Sequence, residues 1–407
     1  MVDCLVSSSL VISFVRWTWL RAFLHNGWWL VASLYMVVDA GLSAAQIVLI
    51  GAVQGIFALL GEVPAGVLAD TFSRKWSLVL SQVLMGTAMV ATGLVTSFPL
   101  LLATQVLWGL SWTFASGADI AWITDELDQP ELISAVLSRT ARAQLTGAAT
   151  GLVALGALAW ATRRDVAIVV GGSAMLVLAL YVVLRFTERR FTPARTARWS
   201  TSWTIFRSGV ALVRQSPEIR RIFLATFLIN GAADAGGRLA PKQLLDLGLP
   251  VSWDPIVWLT GIGILALIVG AVVLRVVEKR LDGEHASHSY RVAAIVGAVG
   301  MAVLAFAPDS VSASAALVIV SGIAVPLTRI IAVIWVNART TSAVRATTHS
   351  FLAQAEYLGE VTCGLAIALI ATLVSLPVAL AGSAALFVLT AAVMRRPTTP
   401  AVEPRTR

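Results

Sequence analysis

Long apolar runs separated by short polar breaks dominate the chain from residue 17 onward. An α-helix needs about 20 such residues to cross a hydrocarbon core about 30 Å thick. Twelve runs can be marked. The first half holds 17–38, 45–67, 77–97, 100–123, 143–162 and 166–185; the second holds 222–244, 255–275, 291–307, 313–336, 350–374 and 376–394. They are too long and continuous for barrel strands, and helices satisfy their own backbone hydrogen bonds in lipid. The pattern predicts an all-α integral membrane protein with twelve transmembrane helices. The longest polar break, 186–220, falls near the middle, and within it Trp203, Phe206, Val210 and Val213 recur at helical spacing. That spacing predicts an amphipathic helix lying on the membrane surface. The expected organisation is an N-terminal segment (1–16), a six-helix bundle (17–185), this linker (186–220), a second six-helix bundle (221–395) and a tail (396–407).

Composition agrees: 58% of residues are hydrophobic and 13% charged, about half the charge of an ordinary soluble domain. The net charge of +8 follows topology and does not point to nucleic acid. Arginines flank the central break, the break at 275–291 and the C-terminus, whereas the breaks near Asp39, 97–99, 308–310 and 375–377 carry no lysine or arginine. By the positive-inside rule both termini are cytoplasmic and the protein is multi-pass in the cell's inner, cytoplasmic membrane. Arg163 and Arg164, on an outer loop, are the exception. Cys4 to Val15 is apolar but too short to span. With no basic residues before it, it reads as an interfacial segment or a mis-assigned start rather than a signal peptide. The two cysteines, Cys4 and Cys363, offer no disulfide or zinc site, and no metal or cofactor is expected.

The segment Glu62 to Lys75, E-V-P-A-G-V-L-A-D-T-F-S-R-K, is a tight polar turn between two spans. Gly66, Leu68, Ala69, Asp70, Arg74 and Lys75 match the pattern G-x-L-A-D-R-x-G-R-[RK] of the loop between helices 2 and 3, so the chain resembles the major facilitator superfamily. The E-x-P-x-G of Glu62 to Gly66 resembles its efflux-type, drug–proton antiporter branch. Arg345-Ala346-Thr347-x-x-Ser350 resembles the entry to helix 11 in that family. Four departures stand beside these matches. Thr71 replaces a basic residue. Ser73 replaces a glycine, which would make positive φ harder to adopt. Gln105 stands where the antiporter branch carries the arginine of R-x-x-x-G on helix 4. On helix 5 Gly147, Gly151 and Gly156 fit G-x-x-x-G-P-x-x-G-G, whereas Leu152 and Leu155 do not.

The resemblance implies two pseudo-symmetric six-helix halves around a central cavity lined by helices 1, 4, 7 and 10, and a seam between the halves at helices 2 and 11. It implies gating roles for Glu62, Glu356 and Glu360 at that seam, and a conformational switch at Asp70 and Arg74, with Asp70 against the inner end of helix 11 near Arg345. Ionisable groups inside the bilayer are costly and so mark function. Helix 7 carries Asn230, Asp234, Arg238 and Lys242 at i+4 spacing, hence on one face. Asp234 and Arg238 form either a structural ion pair or a substrate or proton site. Helix 4 presents Trp112, Ser116, Asp119 and Glu126, and helix 1 presents Arg21, His25 and Trp29. His25 and Asp119 lie at depths where they could meet as a proton-titrating pair. Arg329 on helix 10 is expected to pair with a carboxylate such as Asp234. Trp17, Trp19 and Trp76 read as interfacial anchors, and Trp29, Trp108, Trp112 and Trp122 as stacking surfaces.

The three lysines follow Arg74, Pro241 and Glu278, so no G-K-[ST] phosphate loop exists to drive an ATP pump. The expected function is secondary active transport of a small molecule rather than catalysis. Its favoured form is proton-coupled efflux of an amphipathic compound by a monomer. The alternatives are import of a small polar or anionic solute and, from other classes, a membrane receptor or scaffold and a lipid-modifying membrane enzyme.

Overall fold

In a computed structural model the residues described are 9–127, 129–193, 207, 214, 216–250, 253–277, 286–339 and 342–395, and they form helices and turns with no strand among them. The helices of the first half are α1 (Ser9–Val38), α2 (Ala44–Thr71), α3 (Arg74–Leu94), α4a (Phe98–Ala115) with α4b (Ala118–Leu127), α5 (Ile133–Ala161) and α6 (Arg164–Arg185). Those of the second are α7 (Pro217–Asp246), α8 (Pro255–Val277), α9 (Ala286–Phe306), α10a (Ser310–Ile319) and α10b (Val325–Arg339) joined by a π-helical turn (Val320–Ala324), α11 (Ser342–Leu373) and α12 (Leu376–Val393). The linker helix expected at 203–213 lies outside the described residues.

Several helices outrun the apolar runs that announced them. α1 begins at Ser9, α5 at Ile133 and α11 at Ser342. Apolarity marks where lipid ends, whereas a helix continues as long as its backbone is hydrogen-bonded, and the exposed Arg139 and Arg142 extend α5 beyond the bilayer edge. The fourth span, expected to be continuous, is broken between Ala115 and Ala118, where Gly117 adopts φ +72°; glycine supplies that conformation without a Cβ clash. Ser43 opens α2 with a capping box shared with Gln46, closing two backbone donors that the helix start leaves open.

Ten of the twelve spans are long and apolar enough to cross a membrane by length and composition. The two that are not, α1 and α7, open the two halves and carry ionisable residues mid-helix, Arg21 and His25 on one and Asp234 and Arg238 on the other. Packing repeats between the halves: α1 with α5 and α6, α3 with α6 and α2 with α4a, then α7 with α11 and α12, α9 with α12 and α8 with α10. Glycines make the equivalent approaches. Gly151 lies on the Phe23 carbonyl and Gly359 on the Phe227 carbonyl, while Gly109 lies on Gln54 and Gly322 on Ala266. Small residues let membrane helices pack closely without a hydrophobic driving force.

The glycine contacts between halves lie from mid-helix toward the end away from the termini. Gly55 meets Val361 and Tyr357, Gly364 meets Ala52 and Val48, Gly156 meets Thr260, and Gly263 meets Leu152. The same end holds Arg163 against Asp165 at 2.7 Å and Arg164 against Asp39 at 2.5 Å, so the two arginines that break the charge pattern are both neutralised.

Candidate functional site

On α7 the i+4 ladder places Arg238 directly above Asp234. Arg238 Nε donates to both Asp234 oxygens, at 2.9 and 2.8 Å, and Nη2 reaches across the seam to Gln54 Oε1 on α2 at 2.7 Å. Gln54 Nε2 donates in turn to Gln105 Oε1 on α4a at 2.6 Å, and Gln105 Nε2 donates to the Thr92 hydroxyl at 3.0 Å. The side chains of Arg238 and Asp234 are only 9% and 20% exposed, and Gly51 gives them room, since a Cβ there would collide with both. Gln105, which stands where the antiporter pattern has a cation, is thereby linked through Gln54 to Arg238 of the other half. Of the rest of the ladder, Asn230 donates to the Thr226 carbonyl at 2.9 Å, and Lys242 meets Asp246 at 3.5 Å.

From Arg238 a row of rings descends along α1 and α4a. The guanidinium lies over Trp29, 5.1 Å from its centroid, and Trp29 packs on Trp108 at 5.4 Å. His25 stacks on Trp108 at 5.5 Å and meets Trp112 edge-on at 4.9 Å. Arg21 covers Trp112 at 4.7 Å and Trp17 at 5.4 Å. The expected meeting of His25 with Asp119 does not form: the ring is sandwiched by indoles, and Asp119 accepts from the Ile120 N–H at 2.8 Å at the start of α4b. Trp17 is buried against Phe14, so it is no interfacial anchor. Trp122 stacks on Phe186 at 4.1 Å, with its N–H on the Thr187 carbonyl.

In the second half a cavity of about 290 Å³ lies between α7, α10 and α11, lined by Asn230, Asp234, Arg329 and Glu360. A smaller recess of about 110 Å³ is lined by Asn230, Tyr290, Arg329 and Glu356. Arg329 belongs to both and pairs with Glu356 at 3.5 Å rather than with Asp234, whose two oxygens are already engaged by Arg238. Its side chain is 65% exposed, so this pair contributes little to stability.

The turn after α2 is fastened inside its own half. Arg74 pairs with Asp125 on α4b, donates to the Ala121 carbonyl at 3.0 Å and lies 3.9 Å from Asp70. Ser73, at φ −175°, is extended and caps α3 through the Trp76 N–H; it also donates to Glu188, which accepts the Lys75 N–H at 3.0 Å. The expected glycine is not required, because this position has no positive φ. Glu62 accepts from Ser116 at the break of α4 at 3.0 Å. The expected approach of Asp70 to Arg345 falls on a side chain outside the described residues. Sequence reasoning passed over Gln54 and Gln105 as site residues; the only signal was that Gln105 departs from an arginine pattern.

Three solved structures share this architecture at low identity. The nucleoside transporter NupG has a TM-score of 0.75 at 13% identity, with 95% of this chain and 98% of that chain covered. A D-xylose–proton symporter has 0.72 at 15%, covering 95% and 98%. A bacterial homologue of the human lysosomal transporter Spinster, inward-facing and occupied, has 0.70 at 14%, covering 94% and 95%. No curated protein matches the sequence. The family model described as Major Facilitator Superfamily matches residues 17–361, most of both halves and the turn between α2 and α3, and the chain belongs to that superfamily.

Proposed function

We propose that the protein exports a small amphipathic compound across the cytoplasmic membrane by alternating access, with a proton as the coupling ion and the monomer as the working unit. Membership of the superfamily makes it a membrane transporter rather than an enzyme; direction, cargo and ion are our reading. The observation that carries it is the Asp234–Arg238 pair, buried in the middle of α7 and hydrogen-bonded to Gln54 of the opposite half. Charged groups are kept inside a bilayer where they do work, and this one links the two bodies that must part. Glu360 lines the same cavity as Asp234, which sets a second carboxylate beside the pair. In this reading Asp70 and Arg74 serve as the switch and Glu62, Glu356 and Glu360 as gating groups. Flux of an amphipathic compound panel in membrane vesicles, with and without an imposed proton gradient, tests it. Gradient-driven movement from the cytoplasmic side is expected; gradient-driven movement in the opposite sense would make the protein an importer, and no flux dependent on the protein would remove the reading.

A further inference from the structure

Of the ten spans long and apolar enough to cross a membrane, α8 is the one that protein covers least: only 17% of its most apolar stretch is buried. Its lipid-facing side is grooved. Toward α10a runs a groove of about 310 Å³, lined by Trp253, Trp258, Gly261, Leu265, Val311 and Val318. Toward α5 runs a second of about 330 Å³, under Trp160 and beside Gly156 and Thr260. Val257 lines both, so the two lie side by side across one helix, at the end of the bundle away from the termini.

Neither groove offers a free hydroxyl. Ser314 accepts from the Trp258 N–H at 2.9 Å and donates to the Ser310 carbonyl at 2.6 Å, and Thr260 donates to the Ile256 carbonyl at 2.6 Å. With no hydrogen bond to give, such walls suit a hydrocarbon occupant and penalise a polar one. Gly261 points the same way. A Cβ there would meet nothing within 4 Å, so this glycine does not seat a neighbouring helix as Gly151 and Gly359 do, although glycine weakens a helix. What it contributes is open space. At the head of the grooves Trp160 and Trp253 are 62% and 53% exposed, and tryptophan favours the headgroup level of a bilayer. The charge at that level is uneven. Arg163 and Arg164 are matched by Asp165 and Asp39. Asp254, next to Trp253, accepts the Ile256 N–H at 2.8 Å and acts on Arg164 through space, but has no ion pair of its own among the described residues.

We infer that a diacyl phospholipid with an ammonium headgroup straddles α8, one acyl chain in each groove and the ammonium on Asp254. Both grooves continue the lipid-exposed face of α8, so the lipid enters sideways from the bilayer. A charge-assisted hydrogen bond to the uncompensated carboxylate sets the choice of headgroup. The site lies on the lipid-facing wall and does not depend on cargo, direction or coupling ion.

The test is native mass spectrometry of the full-length purified protein, stripped of lipid in detergent and titrated with phosphatidylethanolamine, with phosphatidylglycerol of the same chains, and with single-chain lysophosphatidylethanolamine. One tightly held phosphatidylethanolamine per chain is expected, saturating before further adducts build up. Phosphatidylglycerol should bind roughly threefold more weakly, the size of a partly exposed charge contact. The lyso form fills one groove and should bind roughly tenfold more weakly. Asp254→Asn should erase the headgroup preference. Gly261→Leu should weaken the first lipid roughly tenfold, because the added side chain takes its space, with the thermal midpoint of the lipid-free protein no lower than that of the wild type. Val272→Leu, on the exposed face about 16 Å further along α8, should change nothing. Adducts that accumulate with no distinct first lipid, or a lyso form that binds as well as the diacyl lipid, overturn the inference on the wild-type protein alone. A first lipid held at full strength by Gly261→Leu overturns its placement, and equal binding of the two diacyl lipids overturns the contact with Asp254.

Discussion

Asp234 and Arg238 are each other's principal partner, and removing one leaves the other buried. Asp234→Asn should cost about 3 kcal/mol of stability, the usual penalty for breaking a buried pair from one side, read as folded yield after solubilisation. If the pair is only structural, adding Arg238→Gln should restore both yield and transport; if Asp234 takes up the proton, yield alone returns. Gly51 provides a second probe. A Cβ there meets Arg238 and Asp234 of the other half, so Gly51→Val should hold the halves apart and lower transport at least tenfold while the fold persists; unchanged turnover would show that this contact is not made during the cycle. The charges of this site were legible, because four polar residues at i+4 spacing stand out in an apolar run. The amides were not. Gln54 and Gln105 lie 51 residues apart, on different spans, and no sequence spacing joins one to the other. His25 misled for a related reason: depth along two helices says that residues share a level, not that their side chains face each other.

At the scale of elements, the turn between α2 and α3 holds α3 to α4b and to the segment after α6 through Arg74–Asp125 and Ser73–Glu188. Asp70→Asn should abolish transport with expression and insertion nearly intact, measured as flux against protein recovered in membranes; normal turnover would leave the turn with a structural role only. The π-helical turn in α10 packs Gly322 against Ala266 of α8 and carries one residue more than an α-helical path needs. Deleting one residue within 320–324 should restore a regular α-helix with Arg329 still on its face but take Gly322 off Ala266; lower flux with unchanged helix content by circular dichroism is the expected result. Neither this turn nor the break at Gly117 was visible in the apolar pattern, which reports the environment of a span and not the regularity of its backbone.

For the whole molecule, twelve spans and a division into halves could be read from apolar runs and one long polar break, since the bilayer fixes the length of each run. The repeat is subtler. Phe23 and Gly27 on α1 reappear as Phe227 and Gly231 on α7, and each glycine meets the corresponding partner helix, α5 or α11. The positive-inside rule puts both termini in the cytoplasm, and the expected outcome is that reporters after Arg407 and within 186–220 read inside and one near Asp39 outside; an outside signal from either of the first two would refute the twelve-span arrangement. One further consequence concerns speed. Both charges of the central pair belong to α7, and what they touch on the other half is neutral, the Gln54 amide and the Trp29 ring. When the halves separate, the cation and anion travel together, and the broken links are one amide–guanidinium hydrogen bond and one cation–π contact. No unpaired charge is stranded on either wall, so the kinetic barrier to switching need not include the desolvation energy of an ion, and the rate of that step should be nearly indifferent to ionic strength.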